Sequence, residues 1–138
     1  LESCGPLTLG LNGNEANILA RLLVLAPCDD SPDSSLALAS ALRARLRISE
    51  VVIHHIKSAA VSGPDGAAAL RGPYCASPRK STGAGDRFNA GYALGLLRAL
   101  PPLERLLCAT ATSGFFVREA RSPSLPELAA FLAHPDWP

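Results

Sequence analysis

Two short apolar runs set the frame for this chain. "PLTLGLN" (6–12) reads as a short strand and "EVVIHHI" (50–56) as a buried one. Between them, "GNEANILARLLVLA" (13–26) carries Ile18, Leu19, Leu22 and Leu23 at helical spacing. "LALASALRARL" (36–46) follows, with Leu38, Leu42 and Leu46 four apart. The intervening "PCDDSPDSS" (27–35) is a loop with Pro32 and several helix-capping residues. Strands that alternate with helices predict an α/β layered fold with a mainly parallel sheet. "AAVSGPDGAAALRGPYCAS" (59–77) reads as short strands joined by a turn at 63–66, which allows an antiparallel hairpin at the sheet edge. Three helices are then expected: from Gly85 to Leu100, over 103–117 after Pro101 and Pro102, and over 125–133 behind a Ser124/Glu127 capping box.

Composition excludes several classes. The formal charge of +1 leaves no electrostatic footprint for nucleic acid or an anionic membrane. No apolar run reaches the length of a membrane span. The start "LESCGPLTLG" lacks a basic region followed by an apolar core, so no signal peptide is expected. Cysteines 4, 28, 75 and 108 lack zinc-site spacing and are expected to be reduced, mostly buried thiols of a cytoplasmic protein. Their even count leaves a disulfide open. The chain has no methionine and begins with leucine, so the expectation is a portion of something longer.

The chemistry concentrates in "KSTGAGDRFNAGYALGLL" (80–97). A glycine-rich turn leads into a helix whose apolar stripe is Phe88, Tyr92, Leu96 and Leu100. Gly91 and Gly95 sit inside it, although glycine costs roughly 1 kcal/mol against alanine in a helix. They would let another backbone, or a nucleotide, lie against the helix. The first turn of a helix has free N–H groups and a partial positive charge. Gly83, Ala84 and Gly85 can therefore form an anion pocket, with Asp86 in the first turn as an ionised base. A carboxylate beside a phosphate pocket suits removal of a proton from a hydroxyl that attacks a phosphoryl group. The same spacing also fits an ordinary glycine turn with an acidic helix start.

"STGAGDRFNAG" resembles the C-terminal signature of the PfkB carbohydrate kinases, the ribokinase-like family. The resemblance implies a three-layer, Rossmann-like α/β fold, of which this chain would be the C-terminal half only, a single domain portion over 1–138. It implies that Gly83, Ala84 and Gly85 are the anion hole, that Asp86 is the catalytic base, and that Thr82 lines the phosphate site. Phe88, Ala90 and Gly91 match the pattern as packing residues. "LNGNEA" (11–16) resembles the family's Asn-x-x-Glu motif, which places Asn12 and Glu15 near magnesium and the phosphates, with Glu15 acting on magnesium through water. Asn followed three residues later by Glu is equally a capping pattern, and both roles can coexist. "ATATSGFFV" (109–117) resembles the helix beside the adenine, with Thr110, Ser113 and Gly114 as lining residues. The resemblance implies ATP as phosphate donor and a sugar or nucleoside as acceptor. It also implies dimers formed through regions outside this chain.

Two departures stand out. Many members carry a cation-binding aspartate six residues before the base, and here that residue is Lys80, which cannot ligate a cation. The expectation is that potassium is not required and Lys80 partly replaces its charge; a solvated loop lysine is the other reading. The family's Thr-Leu-Gly stretch is replaced by "VIHHIKSAA" (52–60). Lys57 or one histidine is expected to contact nucleotide phosphate, while one of His54 and His55 is interior and the other near a loop. Arg87, Arg118 and Arg121 are read as surface residues or phosphate clamps. Two rivals remain. One is an inactive nucleotide-binding fragment or pseudoenzyme. The other is a dinucleotide-dependent oxidoreductase, whose strand and Gly-x-Gly-x-x-Gly series is absent.

Overall fold

A computed structural model of the chain describes residues 5–133. It resolves into two compact units that divide between Arg71 and Gly72.

The first unit holds β1 (Thr8–Asn12), α1 (Gly13–Leu22), α2 (Pro32–Leu46), β2 (Glu50–His54), β3 (Ser58–Gly63) and β4 (Gly66–Arg71). Its sheet runs in the order β1-β2-β3-β4. β1 lies parallel to β2, with Leu9 opposite Val51 and Leu11 opposite Ile53. β2 and β3 are antiparallel, as are β3 and β4. The expected mainly parallel sheet is thus a mixed one in this unit. The reason is local: the connections at 55–57 and 64–65 are too short for a crossover, so they can join only antiparallel neighbours. The expected edge hairpin is present, with Gly66 at φ +125° in its turn.

Both faces of β2 and β3 are buried, which is why these strands read as unbroken runs of small and β-branched residues. Ala16 and Ala20 of α1 and Leu38, Ala39 and Leu42 of α2 pack with Val51 and Ile53 in the core. Burying a leucine or isoleucine completely, as at Leu42 and Ile53, stabilises the fold by about 1.5–3 kcal/mol each. α2 starts at Pro32, four residues earlier than the leucine spacing predicts. Ser31 caps it by accepting from Ser34 N–H, and a proline in the first turn has no N–H to leave unsatisfied.

α1 stops at Leu22, short of the predicted 26. Val24 turns left-handed at φ +57°, Val24 N–H donates to Arg21 C=O at 3.3 Å, and Leu25 N–H donates to Ala20 C=O at 2.8 Å. These two bonds close a Schellman motif, which nature usually builds on glycine. A β-branched residue is strained in this conformation.

The second unit holds α3 (Ala84–Leu97), α4 (Pro102–Glu119) and α5 (Leu125–Leu132). The buried residues of α3 are Phe88, Gly91, Tyr92 and Gly95. The expected apolar stripe therefore holds for Phe88 and Tyr92, whereas Leu96 is exposed. A Cβ on Gly91 would lie 2.6 Å from Cys108 C=O and 2.8 Å from Ala109 Cα, and one on Gly95 would lie 3.0 Å from Arg105 Cα. The two glycines are the seam where α4 meets α3 backbone to backbone, so a neighbouring helix and not a nucleotide occupies that face. α3 ends in a second Schellman motif, with Ala99 left-handed, Ala99 N–H bonded to Leu96 C=O and Leu100 N–H to Gly95 C=O. Arg105 is buried and donates from Nε to Leu100 C=O at 2.6 Å, which closes the same corner. The capping box of α5 is present: Glu127 N–H donates to Ser124 Oγ, and Ser124 N–H donates to Glu127 at 2.8 Å. The Arg121 pairing and the Ser124 bonds lower the Glu127 carboxyl to about 2.

Val24 is 92 % exposed, so it has almost no packing to lose. Val24→Gly should stabilise the chain by about 1 kcal/mol, because it removes the left-handed strain. Urea denaturation monitored by circular dichroism checks this, with a rise in the midpoint at unchanged slope as the expected result.

Candidate active site

The α3 entrance is built by the turn before it. Gly83 is the N-cap at φ +92°, a conformation that penalises any side chain. Ala84 N–H closes the turn on Ser81 C=O at 3.0 Å, and Arg87 N–H makes the first helical bond, to Gly83 C=O at 3.2 Å. No side chain caps this helix. The N–H groups of Gly85 and Asp86 make no hydrogen bond among the described residues. Two adjacent open donors at the positive end of a helix can receive an anion. The donor pair is Gly85 and Asp86; Ala84 N–H is already engaged. Asp86 is exposed in the first turn, and its carboxylate has no hydrogen bond or ion pair among the described residues. Thr82 precedes the turn and is exposed.

The turn rests on Phe116 of α4. The Phe116 ring is 2 % exposed, and its Cζ is 3.6 Å from the place a Cβ on Gly83 would take. Two cations lie over the same ring, Lys80 Nζ at 5.6 Å and Arg87 Cζ at 4.9 Å from its centroid. Arg87 Nε also donates to Ser122 Oγ at 2.8 Å. Arg87 is anchored, which corrects its reading as a plain surface residue. The segment before the turn is fixed to α4 as well, because Arg79 N–H donates to Val117 C=O at 2.8 Å.

The three residues expected beside an adenine lie along α4. Thr110 is buried, and its hydroxyl donates back to Leu106 C=O at 2.7 Å. Gly114 faces Pro73, whose Cγ stands 2.7 Å from the Cβ position. Ser113, between them, is half-buried. Arg118 holds the covering segment: Nη1 donates to Gly114 C=O at 2.8 Å and Nη2 to Tyr74 C=O at 2.9 Å, with the guanidinium over Phe131. Arg121 pairs with Glu127 and lies over Phe115. Both arginines are structural braces here. Nothing in the sequence pattern marked them as braces, because their acceptors are main-chain carbonyls or a capping glutamate.

In the first unit, Asn12 and Glu15 form a complete capping box at the start of α1. Glu15 N–H donates to Asn12 Oδ1 at 2.9 Å and Asn12 N–H donates to Glu15 Oε2 at 2.8 Å. The other Glu15 oxygen makes no hydrogen bond among the described residues, so a water of a hydrated cation fits there alongside the cap. His54, at the end of β2, is half-buried; desolvation lowers its pKa and the nearby Glu15 partly opposes that. Lys57 lies in the β2–β3 turn, where its N–H donates to Asp30 Oδ2 at 3.1 Å. Among the described residues, no group of three or more His, Cys, Asp or Glu could hold a metal ion. Cys28, Cys75 and Cys108 are free thiols, and Cys4 lies outside the described residues. Among the described residues, no helix is long and apolar enough to cross a membrane.

The chain has a ribokinase-like fold, as its likeness to solved structures shows. Ribokinase from Thermotoga maritima superposes with a TM-score of 0.69 at 20% identity, over 92% of this chain and 42% of that one. Ribokinase from Arabidopsis thaliana, solved with ribose and ATP, gives 0.71 at 18% identity, over 92% and 41%. Phosphofructokinase-2 from Escherichia coli gives 0.71 at 16% identity, over 91% and 40%. At the level of sequence, residues 1–134 match the family described as prokaryotic ketohexokinase, and the chain belongs to that family. Ketohexokinase of Haloferax volcanii is 31% identical over 131 residues, which cover 95% of this chain and 34% of that protein. The chain thus spans about a third of the length of this curated relative.

Replacing Gly83 tests the turn independently of any chemistry. Gly83→Ala should destabilise the chain by about 1–2 kcal/mol, the left-handed penalty for a residue with a Cβ. Urea titration reads that loss directly, and an unchanged midpoint would mean that the turn relaxes.

Proposed function

We propose that this chain carries the nucleotide and catalytic side of an ATP-dependent kinase that phosphorylates a hydroxyl of a sugar. The reading rests chiefly on one observation: two N–H groups and a carboxylate with no hydrogen-bond partner among the described residues share the first turn of α3. Asp86 takes the proton of the acceptor hydroxyl as its oxygen bonds to phosphorus and the bond to the departing phosphate oxygen breaks. The N–H groups of Gly85 and Asp86 hold the charge that builds on the moving phosphoryl group. Gly83 supplies the left-handed turn that leaves them open, and Thr82 lines the approach. Asn12 and Glu15 serve the phosphates and magnesium, with Glu15 holding a water of the ion through its free oxygen. Magnesium, when bound, offsets the charge on the nucleotide phosphates. Lys57 is the candidate phosphate contact of the first unit, and Ser113 the adenine-side candidate on α4, with Thr110 and Gly114 shaping the helix around it.

Family membership and the curated relative favour a ketohexose among the possible sugars. A second reading is favoured by length, since the chain spans about a third of that relative: this chain binds nucleotide and transfers nothing by itself. Both readings are separated by assaying transfer from Mg-ATP to a panel of ketohexoses, other sugars and nucleosides. The panel is run with this chain and with the longest natural protein that contains it. Asp86→Asn should lower turnover by roughly 10²–10⁴-fold, the usual scale of a lost general base, with nucleotide affinity little changed. Retained turnover would remove Asp86 from the role of base.

Lys80 carries a separate expectation. Its ammonium group lies over Phe116, directly before the anion turn, and we propose that it stands in for a monovalent cation. Turnover should therefore be the same in sodium and potassium buffers. A strong increase on adding potassium would overturn this.

A further inference from the structure

We propose that His55 is a positioning residue for the α1 entrance, seated on Gly13 and held there by the Cys28 thiol. The proposal builds on the reading of Asn12 and Glu15 given above, because Gly13 is the residue that joins the cap to the first turn.

A Cβ on Gly13 would fall 2.1 Å from His55 Cε1 and 2.2 Å from Nδ1, closer than real Cβ atoms come. The imidazole occupies the volume that a side chain at position 13 would fill. Gly13 itself is buried, although it begins a helix whose next two residues are exposed. The ring is also held at Nε2, where Cys28 Sγ is 3.4 Å away. Cys28 is 7 % exposed. Burial pushes its thiol pKa up.

The seat is rigid because its supports are independent of the ring. The Asn17 side chain clamps Cys28 from both directions, accepting from its N–H and donating to its C=O, each at 2.8 Å. Two residues on, Asp30 accepts from Lys57 N–H at 3.1 Å and from Ser58 Oγ at 2.8 Å. His55 N–H donates to Ser58 C=O at 2.8 Å, which fixes the backbone behind the ring. The loop after α1, the β2–β3 turn and the α1 entrance are thus knit together at the C-terminal ends of β1 and β2. Open α/β sheets place ligands at that end. The ring sets the height of Gly13, and Gly13 sets the orientation of the Asn12–Glu15 box.

The test has two readouts. In this chain, amide hydrogen exchange is followed at the first turn of α1. In the longest natural protein that contains it, the magnesium dependence of phosphoryl transfer is measured. His55→Ala should make the first-turn amides exchange roughly tenfold faster. It should also raise the half-saturating magnesium concentration roughly tenfold, the scale of losing a group that orients a ligand, with the acceptor KM unchanged. Gly13→Ala should have the same effect on magnesium by driving the ring off its seat. A role in helix formation alone predicts the reverse, since alanine is the better helix former. Cys28→Ser, which can still share a hydrogen with Nε2, should stay near wild type, whereas Cys28→Ala should follow His55→Ala. Unchanged exchange in His55→Ala overturns the proposal whatever the catalysis shows. Faster exchange in a protein that transfers no phosphoryl group leaves the seat standing and removes the kinase reading.

Discussion

The backbone-to-backbone approach of α4 to α3 is the constraint on which the second unit depends. Only glycine at positions 91 and 95 leaves room for Cys108, Ala109 and Arg105 on the opposing helix. Close approach puts the far end of α4 under the start of α3, where Phe116 becomes the floor of the Gly83 turn. The same ring then collects Lys80 and Arg87, and Val117 C=O collects Arg79 N–H. A helix start that looks like a loop motif is therefore set by two glycines about two and three turns further along. A larger residue at Gly91 would push α4 out and take the floor from the turn.

Much of this was legible in the sequence, for physical reasons that differ by element. The hairpin was readable because "GPDG" supplies turn residues between two small-residue runs. The boxes at Asn12/Glu15 and Ser124/Glu127 were readable because capping is a contact between residues three apart. The end of α1 was not: a left-handed Val24 carries no sequence signal, and the apolar "LLVLA" keeps helical spacing past the stop. The roles of Gly91 and Gly95 were open in the sequence because a missing side chain says that something comes close, not what. The bracing roles of Arg105 and Arg118 were unreadable for a related reason, since an arginine that donates to carbonyls has partners set only by tertiary packing.

At the α3 turn, the spacing left two readings of "STGAGD", an anion pocket or an ordinary glycine turn. The structure adds the state of each donor. Ala84 N–H closes the turn, and Gly85 and Asp86 N–H remain open. Which of three successive amides is engaged depends on one backbone angle at Gly83, and no sequence pattern encodes that angle.

Comparison of the helix starts within this one chain gives that observation its weight. α1, α2 and α5 each satisfy first-turn amides with a side chain, from Asn12, Ser31 and Ser124. α4 begins Pro101-Pro102, and its first residue has no N–H to satisfy. α3 alone among these begins with neither device. A missing cap costs about 1 kcal/mol, and a serine or asparagine at position 83 would supply one at the expense of the left-handed turn. The chain keeps glycine there and leaves Asp86 beside the open donors without a protein partner. Of the five described helices, α3 and α4 lack a side-chain cap; at α3 an anion bound to the two open N–H groups would supply the missing stabilisation. An uncapped entrance that opens on a left-handed glycine, with an exposed carboxylate beside its open donors, is what favours an anion site over a plain glycine turn here.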